Sequence, residues 1–179
     1  MPVLRRLVFG FMLLGNITAN AQPPEPEGYR MDGYRAPTPT TVAGGFVLDT
    51  DAAHRLWSSG EAVWIDVLPA PQRPGNLPAS AIWMPVPHRD ISGSRWLPDI
   101  GRGALSGELE RYFRDHLEMA CKGGRDTPVV FYCLADCWMS WNAAKRAVSW
   151  GYTQVYWYRD GIDGWEGAHL PMQKAEPAP

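Results

Sequence analysis

Pro128-Val129-Val130-Phe131-Tyr132-Cys133-Leu134-Ala135-Asp136-Cys137-Trp138 is the stretch on which the reading of this chain turns. Val129, Val130, Phe131 and Tyr132 form an unbroken β-branched and aromatic run, the pattern of a strand covered on both faces. The run stops at Cys133, and Trp141, Ala144 and Val148 then recur at helical spacing up to Gly151. A buried strand, a short loop and a helix in that order are one unit of a parallel α/β sheet. In such sheets the functional crevice lies at the carboxyl ends of the strands, where Cys133 sits.

Working outward, the same alternation continues. Gly45-Phe46-Val47-Leu48 is a candidate short strand, and Asp49 or Thr50 caps a helix carrying Ala53, Leu56 and Trp57 on one face, with Gly60 as its stop. Residues 62–67 are apolar except for Asp66 and read as another covered strand. Ile82-Trp83-Met84 follows a Pro- and Gly-rich turn and reads as a further short strand. Residues 85–104 have no period, which predicts a functional loop or an insertion packed by its own Trp96 and Leu97. Ser106 then caps an amphipathic helix with Leu109, Tyr112, Phe113 and Leu117 as its stripe and Gly123-Gly124 as its end. Val155-Tyr156-Trp157-Tyr158 is the last strand. The expected fold is α/β, a parallel sheet of about five strands with helices on both faces.

The amino end reads as an address. Arg5 and Arg6 precede a short apolar core at residues 7–14, and Ala19-Asn20-Ala21 gives the small-x-small pattern of a signal peptide cleaved after Ala21. Its loss leaves 158 residues and, with two arginines gone and no acid, moves the formal charge from −2 to −4. The expected product is periplasmic, with no stable membrane insertion after signal removal, because no later run is long enough to span a bilayer. Mild acidity argues against nucleic acid as a partner, which needs a basic face. Residues 22–44, with Pro23, Pro24, Pro26, Pro37 and Pro39, read as an extended arm or linker. The folded domain is expected over 45–172, with 173–179 a disordered tail.

Export bears on the cysteines, since close pairs oxidise in such compartments. The helix that follows Cys133 presents unpaired N–H groups and a positive dipole end, which favour a thiolate there. Cys137, four residues on, is placed to resolve whatever Cys133 acquires, or to staple it permanently. Asp136, inside the loop, opposes a thiolate and repels anions. Trp138 and Trp141 either roof a pocket that holds a planar ligand or pack in the core on the helical stripe. No metal site is read: structural zinc wants four ligands, and no His falls in the loop. The spacing also excludes a Cys-x-x-Cys-His haem site. Cys121 reads as a structural thiol. His54, His88, His116 and His169 are scattered and read as solvated or capping residues.

The strand into Cys133 resembles the one that leads to the active-site Cys of the rhodanese family. Ile65-Asp66-Val67, Gly75-Asn76-Leu77-Pro78 with Ala81-Ile82, and Gly161-Ile162-Asp163-Gly164-Trp165 with Leu170-Pro171 are similar to that family's other signatures, in the same order, over residues 45–172. More narrowly, Cys133 to Trp138 resembles exported Cys-x-x-x-Cys-Trp proteins associated with catabolism by pyrroloquinoline quinone (PQQ) dependent alcohol dehydrogenases. That resemblance implies a partner among the periplasmic proteins of a PQQ-linked alcohol oxidation system and a bound redox cofactor; the sulfurtransferase alternative would instead carry persulfide sulfur on Cys133. The chain also departs from the family. Trp138 or Met139 stands where related enzymes place an Arg, and Leu68 and Asn76 replace the usual Arg and His. Without a guanidinium clamp in the loop a phosphatase is excluded, and transfer of sulfur from an anionic donor is weakened.

Three readings follow. The leading one is a Cys133/Cys137 redox or cofactor-binding pair. The second is a sulfurtransferase carrying a persulfide on Cys133, cradled by backbone amides. The third is a non-catalytic binding module with Cys133–Cys137 as a staple.

Overall fold

The computed structural model describes residues 22–179, so the signal segment and its cleavage point lie outside the described residues. The strands are β1 (Phe46–Leu48), β2 (Val63–Asp66), β3 (Arg89–Ile91), β4 (Arg95–Trp96), β5 (Val129–Tyr132), β6 (Val155–Tyr158) and β7 (Met172–Lys174). The helices are α1 (Thr50–Ser59), α2 (Gly107–Ala120), α3 (Trp138–Ser149) and α4 (Gly161–Gly167). Five strands form one sheet in the order β1-β6-β5-β2-β4, and every pairing in it is parallel. β3 and β7 make a separate antiparallel pair. The fold is thus the expected α/β architecture with a five-stranded parallel sheet.

Side-chain alternation along the strands divides the core into two layers. Ile65, Val67, Val129, Phe131, Cys133, Val155 and Trp157 pack with Phe113 and Leu117 of α2 and with Trp141, Ala144 and Ala147 of α3. Trp64, Val130, Tyr132 and Tyr158 pack on the other face with Ala53 of α1 and with Ile162 and Trp165 of α4. The caps are those the sequence indicated: Asp49 accepts from the Ala52 amide and Ser106 from that of Leu109, while Gly60 closes α1 at φ 70°.

Three expectations are corrected. Ile82-Trp83-Met84 is not a strand; Ile82 is 91% exposed, and the sheet's outer position is taken by β4, from the segment that showed no period. Residues 173–179 are not a loose tail. Met172, Gln173 and Lys174 pair with β3, Ala175 is buried, and the carbonyl of Ala178 accepts from the Tyr112 hydroxyl. Nor are all the histidines at the surface. His116 is buried against the Pro179 carbonyl, and His88 bonds the fully buried Asp66 through Nε2 at 2.6 Å.

That last contact fastens the 85–104 insertion to the sheet. Asp66, at the end of β2, also accepts the Leu68 amide, while burial pushes its carboxyl above the usual range. Asp90 lies beside it, buried, with Oδ1 unpartnered. Burial and the nearby Asp66 charge raise its pKa to about 6. The folded chain therefore holds a proton at Asp90 that the unfolded chain releases from near pH 4 upward. Stability falls as pH rises through that window, and the loss is complete above about pH 6. Asp90→Asn should be more stable than the parent by about 2–3 kcal/mol at pH 7.5 and equal to it near pH 4, measured by chemical denaturation. A difference that stays constant between the two pH values would contradict this assignment.

Candidate active site

β5 ends at Tyr132, and α3 begins at Trp138 after a turn of five residues. Within that turn the Cys133 carbonyl accepts the Ile162 amide at 2.8 Å, and the Ala135 amide is held by Asp163 Oδ2 at 2.9 Å. Gly161 lies so close that a β-carbon there would collide with the Cys133 carbonyl. Its φ of 55° also suits glycine. Asp136 takes a left-handed conformation at φ 51°, which Asp tolerates better than most residues. The loop is thus held from the α4 side as well as by its own strand and helix.

On its other side lies the amino-terminal arm, extended but not a free linker. The Trp138 amide donates to the Tyr34 carbonyl at 2.9 Å and the Ala36 amide to the Asp136 carbonyl at 3.1 Å, with Arg35 bridged antiparallel to Cys137. Trp138 Nε1 donates to Pro37 O, and Trp141 Nε1 to Thr41 O. Asn142, fully buried, accepts the Arg30 amide and donates to the carbonyls of Arg30 and Gly101. Arg146, the first arginine after Cys133, donates to the carbonyls of Ile100, Arg102 and Gly103 and stacks on Tyr29. It is committed to structure and does not replace the missing loop guanidinium.

Cys121, Cys133 and Cys137 are free and buried. The two loop thiols differ in a way the sequence did not show. Burial pushes Cys133 well up, and its hydrogen bond to Cys137 adds to that shift. Cys137 is lowered to about 7, first by hydrogen bonding from the Cys133 thiol and, against the cost of burial, by the backbone amides of Met139, Leu134 and Ser140. Cys137 occupies the N-cap of α3 without a formal capping hydrogen bond, so those amides act on it chiefly as oriented dipoles. Cys137 is the lowered member of the pair first because Cys133 donates to it, and second because the amides around the start of α3 face its sulfur and not that of Cys133.

The cavity lining agrees. Cys137 lines a cavity of about 430 Å³ with Tyr34 and Arg35 of the arm, Leu68, Arg102, Leu134 and Met139. Cys133 is not among the lining residues, although both thiols are buried, at 0% exposure for Cys133 and 3% for Cys137. A larger hollow of about 580 Å³ over α2 holds no thiol. The remaining candidates do not line the thiol cavity. Asp136 is exposed on the turn. Trp138 and Trp141, at 3% and 0% exposure, pack edge to face, with Arg30 over one ring and Lys145 over the other. They leave no open ring face on which a planar redox cofactor could stack. Cys121 is buried at the C-cap of α2, its pKa raised by burial. Sequence reasoning read His88 as solvated or capping and gave Arg35 no role; the places of both depend on long-range contacts that no local pattern marks.

Residues 49–168 match the Rhodanese-like domain family. No curated protein matches the chain. Among solved structures, the thiosulfate sulfurtransferase of Pseudomonas aeruginosa is 16% identical at a TM-score of 0.50, over 74% of this chain and 21% of that one. A variant of EanB in complex with hercynine is 20% identical at 0.50, over 79% of this chain and 34% of that one. The polysulfide-sulfur transferase homodimer of Wolinella succinogenes is 20% identical at 0.45, over 73% and 80%. The chain thus spans about a fifth of the first and a third of the second, and the likeness to those two concerns the fold alone.

With Cys133 as donor and Cys137 as acceptor, alkylation of the folded protein should occur first at Cys137, with a pH midpoint near 7. Cys133→Ala should move that midpoint toward an ordinary thiol at about 8.5. Peptide mapping after timed iodoacetamide treatment reads both. Preferential labelling of Cys133, or a midpoint unmoved by Cys133→Ala, would contradict the pairing.

Proposed function

Because the chain belongs to the rhodanese-like domain family, we propose that it uses the family's strand-end cysteine loop for two-electron thiol–disulfide exchange. The observation that carries this reading is the ordered pair: a stabilised Cys137 thiolate lining the cavity and a buried Cys133 thiol hydrogen-bonded to it. The Cys137 thiolate attacks one sulfur of a substrate disulfide, that S–S bond breaks, and the first substrate thiolate leaves. Cys133 then gives its proton to the substrate thiolate that has just been released and attacks Cys137 Sγ as a thiolate. The mixed disulfide breaks, and the second substrate thiolate leaves. The substrate gains two electrons, and the chain is left with a Cys133–Cys137 disulfide that a reductant must reopen. Burial of Cys133 delays its attack until the mixed disulfide provides an electrophile at hand.

The setting we propose is the periplasm, with the chain as an accessory to PQQ-linked alcohol oxidation and a protein of that system as its partner. The supports for this are the export-type amino terminus and the resemblance of Cys133 to Trp138 to the Cys-x-x-x-Cys-Trp proteins. A second reading, sulfur transfer, is favoured by the family match together with a thiolate that borders a cavity. In that case the persulfide would form on Cys137, and not on Cys133 as the sequence alone suggested.

Intact mass separates the two. After incubation with a low-molecular-weight disulfide, the parent should lose about two mass units, and Cys133→Ser should accumulate a mixed disulfide on Cys137. Cys137→Ser should do neither. An adduct found on Cys133 would overturn the assigned roles. A stable gain of about 32 mass units on Cys137 from a sulfane donor, removed by cyanide, would put sulfur transfer first.

A further inference from the structure

We infer that Arg35, delivered by the amino-terminal arm, is the anion-recognising residue of the Cys137 cavity, and that the site takes a small organic disulfide bearing a carboxylate or sulfonate. This rests on the reading of Cys137 as the attacking thiolate. The loop itself offers no cation: Trp138 and Met139 are both buried, and Arg146 is spent on the carbonyls of residues 100–103. Arg35 reaches the site by a different route. Its bridge to Cys137 is fixed in register by the Trp138-to-Tyr34 and Ala36-to-Asp136 main-chain bonds on either side, and Arg35 is among the residues that line the same cavity as the thiol.

The guanidinium is unspent. Among the described residues Arg35 has no acidic partner within 4.0 Å and no side-chain hydrogen bond, whereas Arg102, the other cation of the cavity, is tied to Asp99 at 2.7 Å. The nearby acids are placed elsewhere. Asp163 holds the Ala135 amide, and Asp136 is exposed outside the cavity lining. The walls are otherwise apolar, from Leu68, Pro69, Leu134 and Met139. A cavity of about 430 Å³ with apolar walls and one open guanidinium is suited to a small molecule with an acidic end. The planar fork matches a carboxylate or sulfonate and offsets the repulsion between an anionic substrate and the attacking thiolate. The reaction is the exchange already described, with the acid held at Arg35 while Cys137 attacks the sulfur.

The test compares two aromatic disulfides at low salt, dianionic dithiobis(nitrobenzoate) and neutral dithiodipyridine, by the ratio of their second-order rate constants with the reduced chain. Losing one charge-assisted contact should lower that ratio about tenfold in Arg35→Gln. Arg35→Lys should keep most of it, and added salt should lower the parent's ratio toward the variant's. An unchanged ratio in Arg35→Gln overturns the inference, and so does a disulfide-bonded protein that reacts faster than either probe. Cys137→Ser separates the two layers of the argument. If it leaves both probe reactions intact, the nucleophile reading has failed; if it abolishes both while Arg35→Gln leaves the ratio unmoved, only the role of Arg35 has failed.

Discussion

The turn from β5 into α3 must satisfy the amides at the start of a helix whose N-cap residue is a cysteine. A Ser, Thr or Asp in that place would accept those amides directly. Cys137 makes no such bond, and the positive end of the helix is left facing a polarisable sulfur. The Trp138 amide is satisfied instead by the arm, through Tyr34 O. One choice of residue therefore has two consequences. It lowers the Cys137 pKa, and it makes the arm part of the helix's first turn. The anchoring of Cys133 O by α4 and of Ala135 N by Asp163 closes the remaining freedom of the loop.

Much of the fold was legible because its elements carry their own signals. β5 is an uninterrupted apolar run, α1 and α2 have side-chain caps, and Gly60 and Gly151 stop helices in left-handed conformations. What escaped has a common cause. β4 is two residues long and owes its place to the pairing of Arg95 and Trp96 with Ile65 and Asp66, which no local pattern encodes. Ile82-Trp83-Met84 looked more strand-like in isolation, yet among the described residues no strand pairs with it, and Ile82 and Met84 are exposed. Residues 173–179 carry little hydrophobicity and are ordered by what they meet, β3 and Tyr112, rather than by their composition.

The site divides in the same way. The Cys133/Cys137 spacing and the strand-end location were readable, but the roles within the pair were not. These depend on which sulfur is next to the helix and which is under the sheet's carboxyl edge, a difference of four residues that only the turn geometry decides. Trp138 and Trp141 fitted both a pocket roof and a core stripe, and the arm's carbonyls at Pro37 and Thr41 settled the matter by taking both indole N–H groups. Arg35 carried no signal at all, since it lies about a hundred residues from the thiol it accompanies.

That separation in sequence has a physical consequence. An arginine inside the loop would be present whenever the loop is folded, whereas one on the arm is present only while the arm is docked. Docking here rests on Asn142, whose amide is saturated by Arg30 and Gly101, and on Thr38 and Val42, both buried. It rests also on Arg146, which joins the 100–103 loop to Tyr29 of the arm. Asn142 and Arg146 lie on α3, the helix whose N-cap is Cys137. The helix that polarises the nucleophile therefore also holds the arm that brings the charge, and a single rigid element sets both the reactivity of the thiolate and the position of its cation.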